Sequence, residues 1–417
     1  MNTVEISRDT DRAPSRGFQP LRDLPTVIWF VLVVVVSLVQ SDVPAPRWLM
    51  IHLLLLGAAT HAILVWSQHF SFALLRAAQT VAHQRWQTWR LALANLGAAA
   101  VMIGVVWQML AATITGATLL IIAVVWHGVS LVLRARGALP GRFGRTIRYY
   151  IAAAAFLPLG AAVGAWLAHD ASVSLALAHV LINMLGWIGL TVAGTLVTLW
   201  PTILRTRAAE HAASGAARAL PVLAAAVAVA AIGAAGSWML VLVLGLVGYL
   251  VGLAVIGVSL GKAALQKPPR SFAALSVGAA VLWWIGCLAM LIVRVVLAWA
   301  EGGDFTAVRV AVDSVVPFLA AGFVAQVLVG ALSHLVPVVL GGGPHPVKAG
   351  ASVLDVGGVL RVTVANAALL LCTLPVSGVV RMVAAVVYLV SIGSFLPMLF
   401  VSMRAQRRAK AEGPRTP

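Results

Sequence analysis

Six histidines lie inside long apolar stretches of this chain, where an ionisable side chain is costly and usually marks a functional site. They fall at three depths, and each depth pairs a histidine of the second apolar stretch with one from another stretch. The pairs are His52 with His179, His61 with His127, and His69 with His334. Neutral imidazole is a common metal ligand. The pairing therefore predicts that facing helices hold a metal ion or a flat cofactor between them.

The outermost pair has the most informative surroundings. His179 and Asn183 share one face of a helix, and Gly186 continues that face. We expect Asn183 to orient the imidazole or a cofactor substituent, and Gly186 to let a planar group approach the backbone. His52 and His61 are nine residues apart, on opposite sides of their helix, so they cannot bind one ion.

Four arginines are placed against the usual charge pattern of membrane proteins: Arg47, Arg294, Arg309 and Arg381. They fall near the predicted outer boundary, whereas basic residues normally collect on the cytoplasmic side. We expect the guanidinium groups of Arg47 and Arg294 to bind carboxylates of the cofactor. Pairing with a nearby acid, or extension of the side chain towards lipid headgroups, remains the alternative.

A simpler role is open for each histidine. An imidazole inside the membrane can serve only to hydrogen-bond across helices, and this alternative is strongest near the headgroups, where imidazole is cheapest. The candidate metal ligands are His52, His179, His61, His127 and His334.

The composition identifies the class of protein. Of 417 residues, 61% are hydrophobic and only 10% are charged, far too few for the surface of a soluble domain. The chain is therefore a polytopic membrane protein whose main partner is the lipid bilayer. Cys287 and Cys372 form no paired thiolate motif, which argues against a disulfide framework, an iron–sulfur cluster and structural zinc.

Windows near the ~20 residues that a helix needs to cross hydrocarbon predict an all-α bundle of twelve transmembrane helices. A tail over 1–23 precedes a membrane domain over 24–403, and a basic tail follows over 404–417. Residues 341–358 are rich in glycine and predict a flexible loop. The predicted spans are 24–40, 47–68, 90–111, 114–134, 148–168, 174–200, 219–235, 237–260, 271–298, 311–338, 359–376 and 380–403.

Basic residues gather in every second connection between these spans and in both tails. The intervening connections are short and neutral or acidic, as at Asp42, Asp170 and Glu301. The positive-inside rule then predicts a multi-pass protein of a bacterial-type cell membrane with both termini in the cytoplasm. This distribution also explains the net charge of +17 without a nucleic-acid partner.

Three segments resemble known haem proteins. "HVLINMLGWIGLTVAGTLVTLWP" (179–201) is similar to a span of NnrS-type haem–copper membrane proteins, and "VGALSHLVPVVLGG" (329–342) resembles the Gly–His–Pro ending of another span in that superfamily. "HLLLLGAATHAILVWSQHF" (52–70) is similar to the membrane half of actinobacterial proteins that carry a copper nitrite reductase-like module. By topology, the whole bundle resembles subunit I of the haem–copper oxidases.

The resemblance implies a haem cofactor, with copper as a second candidate. His52 and His179 would be axial ligands, His61 and His127 a second site, and an extracytoplasmic copper reductase or a cupredoxin the partner. The chain departs from true oxidases, because its predicted tenth span has only His334 and its seventh span has no histidine. A complete oxygen-reducing binuclear centre is therefore not expected.

Three functions remain open on the sequence. The first is a haem-binding, oxidase-like protein in electron transfer or nitrogen-oxide metabolism. The second is a transporter of metal ions or small solutes, in which the stacked histidines form a path. The third is a membrane anchor or assembly factor with structural histidines. The sequence leaves open whether the chain forms an oligomer.

Overall fold

The computed structural model describes residues 19–138, 144–209 and 211–412. Every regular element within those ranges is a helix, which confirms the predicted all-α class. The helices are α1 Pro20–Asp23, α2 Pro25–Leu38, α3 Pro46–Leu74, α4 Val81–Val106, α5 Leu110–Arg136, α6 Gly144–Leu167, α7 Val173–Leu204, α8 Ala212–Ala235, α9 Met239–Gln266, α10 Phe272–Ala300, α11 Phe305–Leu340, α12 Pro344–Thr373 and α13 Gly378–Ala411.

Eleven of these helices, α3 to α13, are long and apolar enough to cross a membrane within the described residues. The first predicted span corresponds to α2, which has only 14 residues. At ~1.5 Å per residue, α2 is ~21 Å long and shorter than a hydrocarbon core of ~30 Å. The polytopic bundle is confirmed, but the count of twelve full-length spans is not.

The glycine-rich stretch 341–358 is not the loop that its composition predicts. Gly341, Gly342 and Gly343 do turn the chain, all with positive φ. Pro344 then starts a helical segment, Pro344–Asp355, with proline in the first turn, where its missing N–H costs nothing. A break at Val356 and Gly357 separates it from Gly358–Thr373, so α12 is longer than the predicted span.

Three helices contain a π-helical segment near their middle. These segments are Leu53–Ala59 in α3, Ile182–Gly189 in α7 and Leu319–Ala325 in α11. A π segment rotates the following residues out of the α-helical register and loosens the backbone hydrogen bonding, and such segments are frequent at functional sites. The first two begin one residue after His52 and three residues after His179.

The chain forms two compact units. The first comprises 1–199, 208–260 and 294–310, and the second comprises 200–207, 261–293 and 311–417. Helix α7 is the most deeply buried span, with 83% of its most apolar window inside the protein. His179 lies on the part of this helix that belongs to the first unit.

Candidate functional site

The imidazoles of His52 and His179 lie against each other in the first unit. Their ring centroids are 6.4 Å apart, and the ring planes are inclined by 23°. The sequence pairs these two residues by depth, and the structure brings their helices, α3 and α7, together at that depth. Both side chains are half-buried.

Each of the two rings is oriented by a backbone carbonyl. Nδ1 of His52 donates to the Trp48 carbonyl oxygen at 2.8 Å, and Nδ1 of His179 donates to the Gly160 carbonyl oxygen at 2.8 Å. A carbonyl only accepts, so Nδ1 carries the proton and Nε2 keeps its lone pair. Neither Nε2 has a hydrogen-bond partner among the described residues. Metal-binding histidines typically have this arrangement.

Two glycines of α6 make room for the side chains of α7. A Cβ at Gly164 would lie 2.7 Å from Cε1 of the His179 ring, and a Cβ at Gly160 would collide with the Asn183 amide. Any larger residue at either position would displace the side chain that now lies against it. The α6 surface therefore fixes the position of the His179 ring as well as accepting its proton.

Asn183 is held beside His179 but keeps one free acceptor. Its Nδ2 donates to the His179 carbonyl at 2.8 Å and lies 3.3 Å from Nδ1 of the same ring. Its Oδ1 is buried without a hydrogen-bond partner among the described residues. A buried polar atom without a partner is unusual, and it is common where a ligand or water completes the site.

Gly186 lies one turn further along the same face, where it serves packing against α6. A Cβ at this position would lie 2.6 Å from Cγ of Phe156. The Phe156 ring thus occupies the space beside Gly186 in which a planar cofactor was expected. His179, Asn183 and Gly186 do share one face, and that face rests on α6.

Trp48 is stacked on the His52 ring. The two ring centroids are 3.9 Å apart. Arg47 and Arg294, the predicted partners of cofactor carboxylates, both have exposed side chains. Their binding of a cofactor stays a prediction.

His61 does not have the free nitrogen that a metal ligand needs. Its Nε2 donates to the Arg22 carbonyl oxygen at 3.0 Å, and its Nδ1 accepts from Nδ2 of Asn95 at 2.9 Å. Both nitrogens are occupied and the side chain is only 2% exposed. The structure thus supports the simpler alternative for His61, a hydrogen bond across helices.

His127 and His334 are also separate from the outer pair. His127 donates from Nε2 to Oγ of Ser67 at 2.8 Å, so it has a different partner from His61, with which it shares a predicted depth. His334 is half-buried on α11, in the second unit. Among the described residues, no group of three or more His, Cys, Asp or Glu side chains could hold a metal ion.

A polar cluster of the first unit was not predicted from the sequence. Trp29 of α2 donates through Nε1 to Oδ1 of Asn95 at 2.7 Å, and Asn95 in turn donates to His61. Tryptophan and asparagine inside predicted spans were the available signal. The two residues are 66 positions apart, so only the folded chain shows that they meet.

The chain matches no protein-family model and no curated protein. The resemblance to haem–copper proteins therefore rests on the bundle topology and on the segments 52–70, 179–201 and 329–342, and it stays a prediction.

Proposed function

We propose that this protein binds one haem in the membrane, which His52 and His179 would hold through their Nε2 atoms. The supporting observation is the pair of neighbouring imidazoles, each oriented through Nδ1 with Nε2 available. Their ring centroids are 6.4 Å apart, so both lie at one depth of the first unit.

The set of donors favours haem over a bare metal ion. A structural or catalytic zinc ion needs three or four protein ligands, and no such group occurs among the described residues. Haem needs only two, because the porphyrin supplies four nitrogens of its own. Both ligands would be neutral imidazoles, with Gly160 and Trp48 carbonyls as their orienting partners.

A haem held by His52 and His179 would supply one-electron redox chemistry. The protein's contribution is to orient both imidazoles through Nδ1 and to shield them with Trp48 and α6. We therefore place the protein among oxidase-like membrane proteins in electron transfer or nitrogen-oxide metabolism, without a complete oxygen-reducing centre. Copper remains an expectation of the resemblance alone.

The transporter alternative is less well supported. A histidine path needs imidazoles that can exchange a proton or an ion with their neighbours. His61 is closed by Arg22 and Asn95, and His127 donates to Ser67. The middle of the expected path thus consists of residues with fixed structural partners.

The proposal places the protein in a bacterial-type cell membrane, with both termini in the cytoplasm and the haem near the outer face. The alternation of basic connections supports this orientation, and it requires α2 to cross the bilayer despite its length. The outer position would suit electron exchange with an extracytoplasmic copper reductase or cupredoxin. Reporter fusions after Arg145 and Lys267 should report cytoplasm, and those after Asp170 and Gly303 the outside; a reversed pair would refute the orientation.

The haem proposal is tested by spectra of the purified protein. The wild type should show a reduced-minus-oxidised spectrum of six-coordinate haem, and a pyridine extract should give about one haem per chain. His52→Ala and His179→Ala should each remove most of it, because a single imidazole holds haem less tightly. His211→Ala and His345→Ala, which change exposed histidines, are the matched controls.

Two outcomes would contradict the proposal. One is a protein without haem after expression with an adequate haem supply. The other is an unchanged haem content and spectrum in both His52→Ala and His179→Ala, with normal folding.

A further inference from the structure

A cavity of about 520 Å³ lies at the opposite end of α3 from His52, in the first unit. It is formed by the end of α3, the connection that follows it, the start of α4 and the end of α5. Its walls combine two arginines with an aromatic surface. The residues that line it include Phe72, His83, Trp86, Arg90, Trp126 and Arg134.

Both arginines of the cavity are held by neutral side chains. Arg90 is only 4% exposed and donates through Nη2 to Oε1 of Gln68. Arg134 donates through Nη1 to Oγ of Ser71. Neither has a carboxylate partner within the described part of the chain. Gln68 also has a buried Nε2 donor with no partner there.

The segment that forms the cavity contains no counter-ion of its own. Residues 43–169, which include α3, α4, α5 and α6, contain no Asp or Glu. A buried charge without a partner is costly, and a buried guanidinium is normally paired with an anion. The buried Arg90 and the half-buried Arg134 also repel each other in one cavity, so an anion bound there would stabilise both.

Aromatic rings give the cavity an apolar wall. Trp86 and Trp126 meet edge to face with centroids 5.5 Å apart, and the Arg90 guanidinium lies 5.6 Å from the Trp126 centroid. The Arg134 guanidinium lies 3.9 Å from the Phe72 centroid. Trp86 is 50% exposed, so this wall continues to the protein surface. A ligand with an anionic head and an apolar body would match both parts.

We propose that this cavity binds the phosphate group of an anionic amphiphile, an anionic phospholipid of the adjacent leaflet. Arg90 and Arg134 bind the phosphate oxygens, since guanidinium groups match the geometry of phosphate. The glycerol and the first methylene groups lie on Trp86 and Trp126. The same chemistry would accept free phosphate, so the experiment separates the two sources.

The test uses full-length protein in lipid nanodiscs and native mass spectrometry. Nanodiscs of phosphatidylcholine alone are compared with nanodiscs that contain one tenth phosphatidylglycerol, and the retained phosphatidylglycerol is counted. Arg134→Gln should weaken retention about tenfold, the loss expected for one charge-assisted hydrogen bond. Arg85→Gln is the matched control, because Arg85 is exposed on the same helix as Arg90 and does not line the cavity.

Arg90→Lys is a second variant. It keeps the positive charge at the buried position, where loss of the charge could prevent folding. It should retain phosphatidylglycerol less well than the wild type, because Lys cannot bind phosphate in a bidentate manner. Inorganic phosphate is then titrated into delipidated protein. Phosphate binding that Arg134→Gln abolishes, without phosphatidylglycerol retention, supports the anion site and overturns the lipid as its source. Equal retention in the wild type, Arg134→Gln and Arg85→Gln, with no phosphate binding, overturns the site itself.

Discussion

Each of the two units contains a polar cluster, and the two clusters share one design. In the first unit, Trp29 of α2 donates to Asn95 of α4 at 2.7 Å. In the second, Trp283 of α10 donates to Asn366 of α12, also at 2.7 Å. In both cases an intervening helix with a π segment, α3 or α11, supplies the third member.

The third member differs in type but not in role. Asn95 donates to His61 at 2.9 Å, whereas Asn366 exchanges hydrogen bonds of 2.9 and 3.0 Å with Gln326. His61 lies four residues after Gly57, and Gln326 four residues after Gly322. A glutamine at the equivalent position indicates that this position serves hydrogen bonding, which agrees with the structural role of His61.

The clusters differ where chemistry is proposed. His52 lies five residues before Gly57, and the residue five before Gly322 is Pro317, which has no metal-binding group. The scaffold of Trp, Asn and π segment is thus shared, while the position of His52 holds a candidate ligand in the first unit and a proline in the second. Mutations can therefore test the shared polar clusters and the His52 site separately.

The largest effect is expected where the π segments touch the tryptophans. A Cβ at Gly57 would lie 2.7 Å from Cδ2 of Trp29, and one at Gly322 would lie 2.5 Å from Cδ2 of Trp283. Gly57→Leu and Gly322→Leu should each destabilise the protein by about 3 kcal/mol through overpacking. Thermal unfolding in detergent measures this, and only Gly57→Leu should also lower haem content.

The control for both is Gly257→Leu, because a Cβ at Gly257 meets nothing within 4 Å. A stable Gly322→Leu beside an unstable Gly57→Leu would show that the clusters are not equivalent.

An intermediate effect is expected from two tyrosines that bind carbonyls of π segments. Tyr249 donates to the Leu185 carbonyl at 2.9 Å, and Tyr388 donates to the Ala321 carbonyl at 2.8 Å. Both tyrosines are buried, so water does not replace the lost hydroxyl as a donor to the carbonyl. Tyr249→Phe and Tyr388→Phe should therefore each lower the free energy of unfolding by about 1–2 kcal/mol.

Melting temperatures of the two tyrosine variants, measured side by side, check this expectation. A cost in only one of them would mean that the π segments of α7 and α11 are stabilised by different means. Tyr249→Phe should leave haem content unchanged, because the carbonyls that accept from His52 and His179 are those of Trp48 and Gly160, whereas the Tyr249 hydroxyl donates to that of Leu185.

The smallest effect is expected from exchanging the third members of the clusters. His61→Gln and Gln326→His should each change the free energy of unfolding by less than about 1 kcal/mol, since each residue can bond the facing asparagine. His61→Leu should cost more, because it leaves the Nδ2 donor of Asn95 without that partner. Loss of haem in His61→Gln would instead identify His61 as a ligand and break the comparison.

Several features were predictable from the sequence for a definite reason. Long apolar segments predict the helices, and equal depth along α3 and α7 predicts that His52 and His179 share a level. The predicted start of the third helix at Arg90 was wrong. This helix, α4, starts at Val81, and its first turns carry polar residues that a hydropathy window leaves out. Helices α4 and α5 together bury Arg90 against Gln68 and Trp126, an environment that a hydropathy window cannot register.

The sequence by itself determined that this is an all-helical membrane protein with histidines at definite depths, because hydrocarbon imposes length and apolarity on each span. Only the tertiary structure decided which histidines have a free nitrogen. His179 keeps Nε2 because the Gly160 carbonyl takes its Nδ1 proton, and His61 loses both nitrogens to Arg22 and Asn95. Those partners lie on other helices, α6, α1 and α4, and the pattern along a single helix does not identify them.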